Sequence, residues 1–245
     1  MATPLLQVAD LGKRFGGFVA LDAINLTVEA GERVGLIGPN GSGKSTLVNC
    51  LCGTLPNDSG TVHFDGHAVD GMAAHRRTRL GMARSFQLPR PFSSLSVAGN
   101  LRVPLLYTAA HRASARPSPP AIDARCAELL QLVGLEDKAD RLPRDLTQVE
   151  MRKLELARAM AAMPKLLIAD EAMAGLSHVE VDDILALLLR LNGQGITIIL
   201  IEHIMRAVMG FSERLVVLVA GRKIADGAPQ YVIRHPEVER AYLRE

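Results

Sequence analysis

The stretch Arg33-Val34-Gly35-Leu36-Ile37-Gly38-Pro39-Asn40-Gly41-Ser42-Gly43-Lys44-Ser45-Thr46-Leu47-Val48 decides the fold. Arg33–Ile37 is a short apolar run closed by glycine and reads as a buried strand; Leu47, Val48 and Leu51 read as one face of a helix. Between them, Gly38, Pro39, Asn40, Gly41, Ser42, Gly43, Lys44, Ser45 and Thr46 match the pattern G-x-x-x-x-G-K-[ST], in the strand–loop–helix setting its mechanism requires. Glycines let successive backbone N–H groups turn inward on a phosphate with no Cβ in the way. The helix beginning near Lys44 adds the positive end of its dipole. Lys44 is then expected to meet the β- and γ-phosphates of a nucleotide, and the Ser45 hydroxyl to ligate Mg²⁺.

Working outward, Leu166-Leu167-Ile168-Ala169-Asp170-Glu171 is a second apolar strand that delivers two acids to its C-terminal edge, where open α/β sheets bind ligands. Asp170 is expected to hold Mg²⁺ through water, and Glu171 to orient or deprotonate the water attacking the γ-phosphate. His203 follows the strand Thr197–Ile201 and Glu202. Its imidazole suits either a structural role or a hydrogen bond that reports the γ-phosphate. Gln87, in Arg84-Ser85-Phe86-Gln87, carries an amide able to reach metal or water from a moving loop.

Three textures surround these motifs. From Leu6 to about Gln87 the chain is mostly strand, and Thr61–Phe64 followed by Asp65-Gly66 predicts a hairpin with a type I′ turn. From Pro89 to Met163 it is helical, with the stripe Ile122, Cys126, Leu129, Leu130, Val133 closed by Gly134 at a C′ position. From Lys165 onward strand and helix alternate: Leu166–Ala169, then Val179–Leu191 with Ile184, Leu185, Leu188 and Leu191 on one face. Thr197–Ile201 and Leu215–Ala220 follow as strands, with a turn at Gly221 into Lys223–Asp226. The alternation predicts an α/β layer with a buried, mainly parallel sheet, the helical middle being an insertion. His111–Pro120 (HRASARPSPP) reads as an exposed loop.

Composition limits the alternatives. The chain has 245 residues, 48% apolar and 22% charged, which excludes disorder and collagen-like repeats. A net charge of +2 provides no reason to expect general nucleic-acid binding, and the basic run Arg76-Arg77-Thr78-Arg79 reads as a solvated face. The strongest apolar runs, Ile196–Ile201 and Leu215–Ala220, fall far short of the roughly 20 residues needed to span a bilayer. Met1–Lys13 lacks a signal pattern, so a cytosol-facing protein is expected. Of three cysteines, Cys126 falls on the helical stripe, while Cys50 and Cys52 are placed after the first helix; all three read as structural thiols.

The order of Gly38–Thr46, Gln87, a helix start at Leu146–Glu150, Asp170-Glu171 and His203 resembles the nucleotide-binding subunit of ABC transporters. Ile201-Glu202-His203-Ile204-Met205, Val208-Met209-Gly210 and Ala241-Tyr242-Leu243 are similar to the ATPase subunits of branched-chain amino acid importers. So are Phe15-Gly16-Gly17-Phe18 and Ala83-Arg84-Ser85-Phe86-Gln87. The resemblance implies a P-loop NTPase: a RecA-like core with an N-terminal antiparallel β subdomain (1–87 and 161–245) and an inserted helical subdomain (88–160), forming one ABC transporter domain. It implies ATP and Mg²⁺ as ligands, with Phe15 stacking on adenine, the alternative being a core aromatic. Gln87 would touch Mg²⁺ together with Ser45 and Asp170 and couple to the membrane subunits. Ala174-Gly175-Leu176-Ser177 would communicate with an opposing ATPase subunit.

The implied partners are a second ATPase subunit, identical or different, two transmembrane permease subunits and an external substrate-binding protein, with no nucleic acid. The implied location is peripheral, on the cytoplasmic face of a bacterial inner membrane. A non-hydrolysing ATP-binding subunit, and a soluble ATPase working outside transport, are the competing readings.

The sequence departs from the family at the helix start, which usually reads Leu-Ser-x-Gly-Gln and contacts the γ-phosphate held by the other subunit. Here it reads Leu146-Thr147-Gln148-Val149-Glu150. Val149 adds a branched side chain, and Glu150 a negative charge, where an anion should approach. Thr147-x-x-Glu150 is equally a capping box that serves the helix alone. Ala172, where the family commonly has proline, removes a φ restraint but no chemical group.

Overall fold

A long antiparallel hairpin leads the fold: β1 (Leu6–Phe15) returns along β2 (Phe18–Val28). Next come β3 (Arg33–Ile37), α1 (Lys44–Cys52), β4 (Ser59–Phe64), β5 (His67–Ala68), α2 (Ala74–Leu80) and β6 (Met82–Ser85). Three helices follow, α3 (Val97–Arg112), α4 (Pro119–Val133) and α5 (Gln148–Ala161). The chain then runs through β7 (Leu166–Asp170), α6 (His178–Gly193), β8 (Thr197–Ile201), α7 (Met205–Phe211), β9 (Arg214–Val219), β10 (Arg222–Gly227), α8 (Pro229–Val232) and α9 (Pro236–Tyr242). This computed structural model describes residues 3–86, 88–112 and 118–242.

Two sheets result. One is antiparallel, in the order β2-β1-β4-β5; the other runs β10-β9-β3-β8-β7-β6, with only the β9–β10 pair antiparallel. The larger sheet is covered on both faces, which is why its strands are continuously apolar. Leu167, Ala169, Ile198 and Leu200 face a core shared with α4, α5 and α6. Leu166, Ile168, Ile199 and Ile201 face α1 and the inner side of the antiparallel sheet. This is the expected α/β architecture, with helices α3 to α5 inserted between β6 and β7.

Local expectations hold where a side chain or turn acts alone. Asp65 (φ 50°) and Gly66 (φ 75°) make the two-residue turn that pairs Phe64 with His67. Ile122, Cys126, Leu129, Leu130 and Val133 are buried, and the Gly134 N–H satisfies the Leu130 and Gln131 carbonyls. On α6 the buried face is Ile184, Leu187, Leu188 and Leu191; Leu185 is only half-buried, because the helical period favours Leu187. Cys50 and Cys52 lie inside α1 rather than after it, and burial pushes both thiols up to about 11. The Pro-rich stretch is shorter than expected: Arg112 still belongs to α3 and Pro119 already opens α4, where its fixed φ suits a first helical position. Ser118 Oγ caps that helix at Ala121 N–H, 3.4 Å away. Residues 113–117 of the stretch lie outside the described residues.

The basic run at Arg76–Arg79 is not a solvated face throughout. It forms most of α2, and Arg77 is 2% exposed. Its Nη1 donates to the Cys50 and Leu51 carbonyls (2.8 and 2.7 Å), and its Nε to Met72 O (3.0 Å). A cation thus satisfies the last carbonyls of α1 and complements the negative end of its dipole. Replacing Arg77 by alanine strands those acceptors above an unfilled volume. The expected loss is about 3 kcal/mol of unfolding free energy, measurable as a lower urea midpoint at unchanged m-value.

Candidate functional site

Register alone brings the candidate residues to one edge. Leu36 of β3 pairs with Ile201 of β8, and Ile201 pairs with Asp170 of β7. Ser85 of β6 pairs with Ala169. The four parallel strands therefore end in a row, and they lead directly into the Gly38 loop, Glu202-His203, Glu171 and Phe86. Such an edge of carboxyl ends is where a doubly wound sheet takes its ligand.

The phosphate loop is held by close backbone approach. A Cβ at Gly38 would fall 2.1 Å from Leu218 O, and one at Gly43 (φ 104°) 2.8 Å from Ala20 O. Lys44, 6% exposed, donates from Nζ to Gly38 O (2.7 Å) and Pro39 O (3.0 Å) inside the loop. Ser45, in the first turn of α1, is exposed, and so are Asn40 and Gly41. Ser42 is buried, and its carbonyl accepts from Gly221 N–H (3.0 Å). A triphosphate with Mg²⁺ fits this donor set: a buried ammonium inside a backbone cradle, an open hydroxyl at the helix start and a carboxylate at the neighbouring strand end. Lys44, the loop N–H groups, Ser45 and Asp170 are the residues that would hold it.

Asp170 is 6% exposed and paired to Arg84, Nη2 to Oδ2 at 2.5 Å. Glu171 stands in the left-handed region (φ 48°), a conformation that costs a non-glycine residue about 1 kcal/mol or more and concentrates at functional sites. Its N–H is tied to Ile201 O (2.9 Å), and its Oε1 lies 3.0 Å from His203 Nε2. The structure therefore brings together the Glu171 and His203 singled out from sequence. Glu202, which no sequence motif marks, is 2% exposed; its Oε1 accepts from Met173 N–H (2.8 Å) and pins the turn after β7. Burial pushes the Glu202 carboxyl above the usual range. Phe15 is 50% exposed, with Lys13 Nζ 5.7 Å from its ring centre, which excludes the core-aromatic reading. Gln87 lies outside the described residues.

At the start of α5 the capping box is formed. Thr147 Oγ1 accepts from Glu150 N–H (3.4 Å), and Glu150 Oε2 from Thr147 N–H (2.8 Å). Glu150 Oε1 is in addition paired with Lys138 Nζ. Burial opposes Glu150's charge, but the Lys138 and Thr147 hydrogen bonds outweigh it and hold the carboxyl below the usual range. Thr147 and Gln148 are exposed, whereas Val149 is half-buried against the helical core. Ala174 O accepts from Gln148 Nε2 (3.4 Å) and Arg152 Nη2 (3.2 Å), joining the helix start to the Ala174–Ser177 loop.

Comparison with known proteins identifies the family and the fold. The ABC transporter family profile matches residues 21–174. Over the full length of both chains, the sequence is 37% identical to the high-affinity branched-chain amino acid transport ATP-binding protein BraF of Pseudomonas aeruginosa. It is 38% identical, again over full lengths, to LivG of Escherichia coli, described in the same words. The methionine import ATP-binding protein MetN of Rhizobium johnstonii is 38% identical over 96% of this chain and 64% of its own. Among solved structures, the ADP conformation of MJ1267, an ATP-binding cassette of an ABC transporter, superposes with a TM-score of 0.88 at 29% identity over 100% of both chains. The dimeric cassette MJ0796 bound to ADP and Pi gives 0.81 at 25% identity, over 91% of this chain and 98% of its own.

The Thr147–Glu150 box carries a pH signature. Glu150→Ala removes the acceptor of Thr147 N–H and the partner of Lys138, an expected cost of about 1 kcal/mol. Because the folded carboxyl titrates below the usual glutamate value of 4.5, this increment is present above that value and disappears as pH falls through the folded pKa. Unfolding titrations of both proteins from about pH 7 to about pH 3 should show the difference closing only at the acid end.

Proposed function

The chain belongs to the ABC transporter family and is one of its ATPases, and from that premise we propose that it powers an importer. The cargo in this reading is a branched-chain amino acid or a related small amino acid, amide or organic acid; the full-length likeness to BraF and LivG supports it over the partial one to MetN. No helix among the described residues is long and apolar enough to cross a membrane. Membrane crossing is accordingly assigned to two permease subunits and cargo capture to an external binding protein, with this chain peripheral on the cytoplasmic face. The region 88–160 is the surface we assign to the permease; residues 1–87 and 161–245 form the nucleotide-binding core.

The observation that carries the reading is the 3.0 Å contact between Glu171 and His203 beside the phosphate cradle. Glu171 aligns the attacking water and takes up its proton. His203 orients that carboxylate through Nε2 and offers a hydrogen bond to the terminal phosphate. Lys44 exchanges the Gly38 and Pro39 carbonyls for the β- and γ-phosphates, while Ser45, Asp170 and Gln87 would hold Mg²⁺, which would supply charge neutralisation there. Phe15 offers an exposed face to adenine. Loss of the terminal phosphate removes the contacts of Lys44 and His203 and releases the closed state.

Two such ATPases face each other in this reading, each placing its helix start, Thr147 to Glu150, on the other's nucleotide. Val149 in place of glycine makes the site that receives this helix the weaker one, while the site built on Lys44, Glu171 and His203 is complete. Such asymmetry suits a pair of different ATPases.

Glu171→Gln should keep nucleotide binding and lower turnover by about 100-fold or more; Lys44→Ala should weaken nucleotide binding itself. ATP hydrolysis by Glu171→Gln at the native rate in the assembled transporter would remove Glu171 from the role. Introducing the glutamine separately here and at the matching position of the partner ATPase tests the asymmetry. A deeper loss is expected from the change in this chain, and equal losses would contradict it.

A further inference from the structure

Arg84 interrupts a strand of small and apolar residues, Met82-Ala83-Arg84-Ser85, and stands next to the strand end. Its guanidinium reaches across to β7, where Nη2 (2.5 Å) and Nε (3.2 Å) both donate to the same oxygen of Asp170, Oδ2. Its remaining nitrogen, Nη1, donates to Asn49 Oδ1 (2.7 Å) on α1, the helix that begins with Lys44 and Ser45. The guanidinium also lies over the Phe86 ring, 5.2 Å from its centre. The side chains of Arg84 and Asp170 retain only 14% and 8% exposure, so little solvent screens this pair.

A planar fork held by a carboxylate, an amide and an aromatic face is fixed in position, and lysine cannot reproduce it. Two of its three nitrogens bear on one carboxylate oxygen and none bears on the other. The carboxylate is thus divided: Oδ2 takes both bonds from Arg84, and Oδ1, which takes neither, is the oxygen that would serve a metal's water.

We propose that Arg84 is a positioning residue that aims Asp170 at the magnesium position and, by bringing a fixed positive charge beside it, weakens the seat for a divalent cation. The seat then holds the metal only together with nucleotide phosphates and gives it up with the product. This rests on the assignment of Asp170 to Mg²⁺ above. It concerns metal affinity rather than the chemical step, so it is read by binding.

The test is a titration of Mn²⁺, followed by electron paramagnetic resonance, onto the full chain saturated with ADP. Asp170→Asn should weaken Mn²⁺ binding about tenfold, as the loss of an outer-shell partner does. Arg84→Gln, which removes the competing charge, should tighten it by about threefold or more. Arg84→Lys, which keeps the charge but loses the fork that aims Asp170, should weaken it by about twofold. If Asp170→Asn weakens binding while Arg84→Gln leaves it unchanged or weaker, the role given to Arg84 is wrong and the Asp170 assignment survives. If Asp170→Asn has no effect, the Asp170 assignment fails and the proposal with it. Should Arg84→Gln not fold, Arg84→Lys decides: an Mn²⁺ affinity equal to that of the native chain overturns the proposal.

Discussion

Close backbone contact around the phosphate loop is the constraint on which the structure depends. The Ala20 carbonyl of β2 lies where a Cβ at Gly43 would be 2.8 Å away and one at Gly221 2.7 Å away. Gly221 N–H donates to Ser42 O, and Asp22 N–H donates to Gly221 O (2.8 Å). The antiparallel sheet, the phosphate loop and the β9–β10 turn therefore meet at three backbone segments with no side chain between them. Any residue larger than glycine at Gly38 would meet the Leu218 carbonyl and push the loop off the sheet edge. The cradle's shape is set by packing from both sheets, so its N–H groups are organised before a ligand arrives.

Around that junction, charge is buried in matched sets. Lys44 rests on two carbonyls, Arg84 on Asp170 and Asn49, and Arg77 on the end of α1. On α5, Glu155 is paired with Arg158 at 2.6 Å; burial pushes the Glu155 carboxyl up, although Arg158 and the Phe86 N–H pull it down. Arg158 also donates to Arg90 O (3.0 Å). Phe86 and Arg90 are therefore each attached to α5. Buried pairs of this kind contribute little net stability, since desolvation offsets their attraction. What they contribute is position: each ties the end of one element to a neighbour distant in sequence.

That distinction explains what the sequence discloses. Period, turn chemistry and capping are local, so the Arg33–Thr46 strand–loop–helix, the Asp65-Gly66 hairpin and the Gly134 terminus are legible without coordinates. The row of strand ends carrying Asp170, Glu171 and His203 is legible too, because apolar runs bounded by polar residues reveal their own C-termini. Partners of buried charges are not legible, because nothing in the spacing links Arg84 to an acid 86 positions on or Lys138 to Glu150. Arg77 illustrates the difficulty: a cluster of arginines looks solvated unless the carbonyls awaiting one of them are known. The readable clue at Arg84 is an arginine inside a strand of small residues, which demands a buried counter-charge.

The helix start at Thr147 shows how a family feature and a local one coexist. A capping box orients side chains back along the chain, so Glu150 directs its charge to Thr147 N–H and Lys138 instead of projecting it outward. The residues left facing outward are Thr147 and Gln148, a hydroxyl and an amide, neither of which repels an anion. Glutamate at this position is therefore compatible with an approaching phosphate, provided Lys138 stays in place. Val149 is a different matter: its side chain packs against the helical core and cannot restore the bare backbone that glycine presents. Of the two departures, the acid is a structural device that the protein has already neutralised, and Val149 is the one that leaves a branched side chain on the backbone an anion would approach.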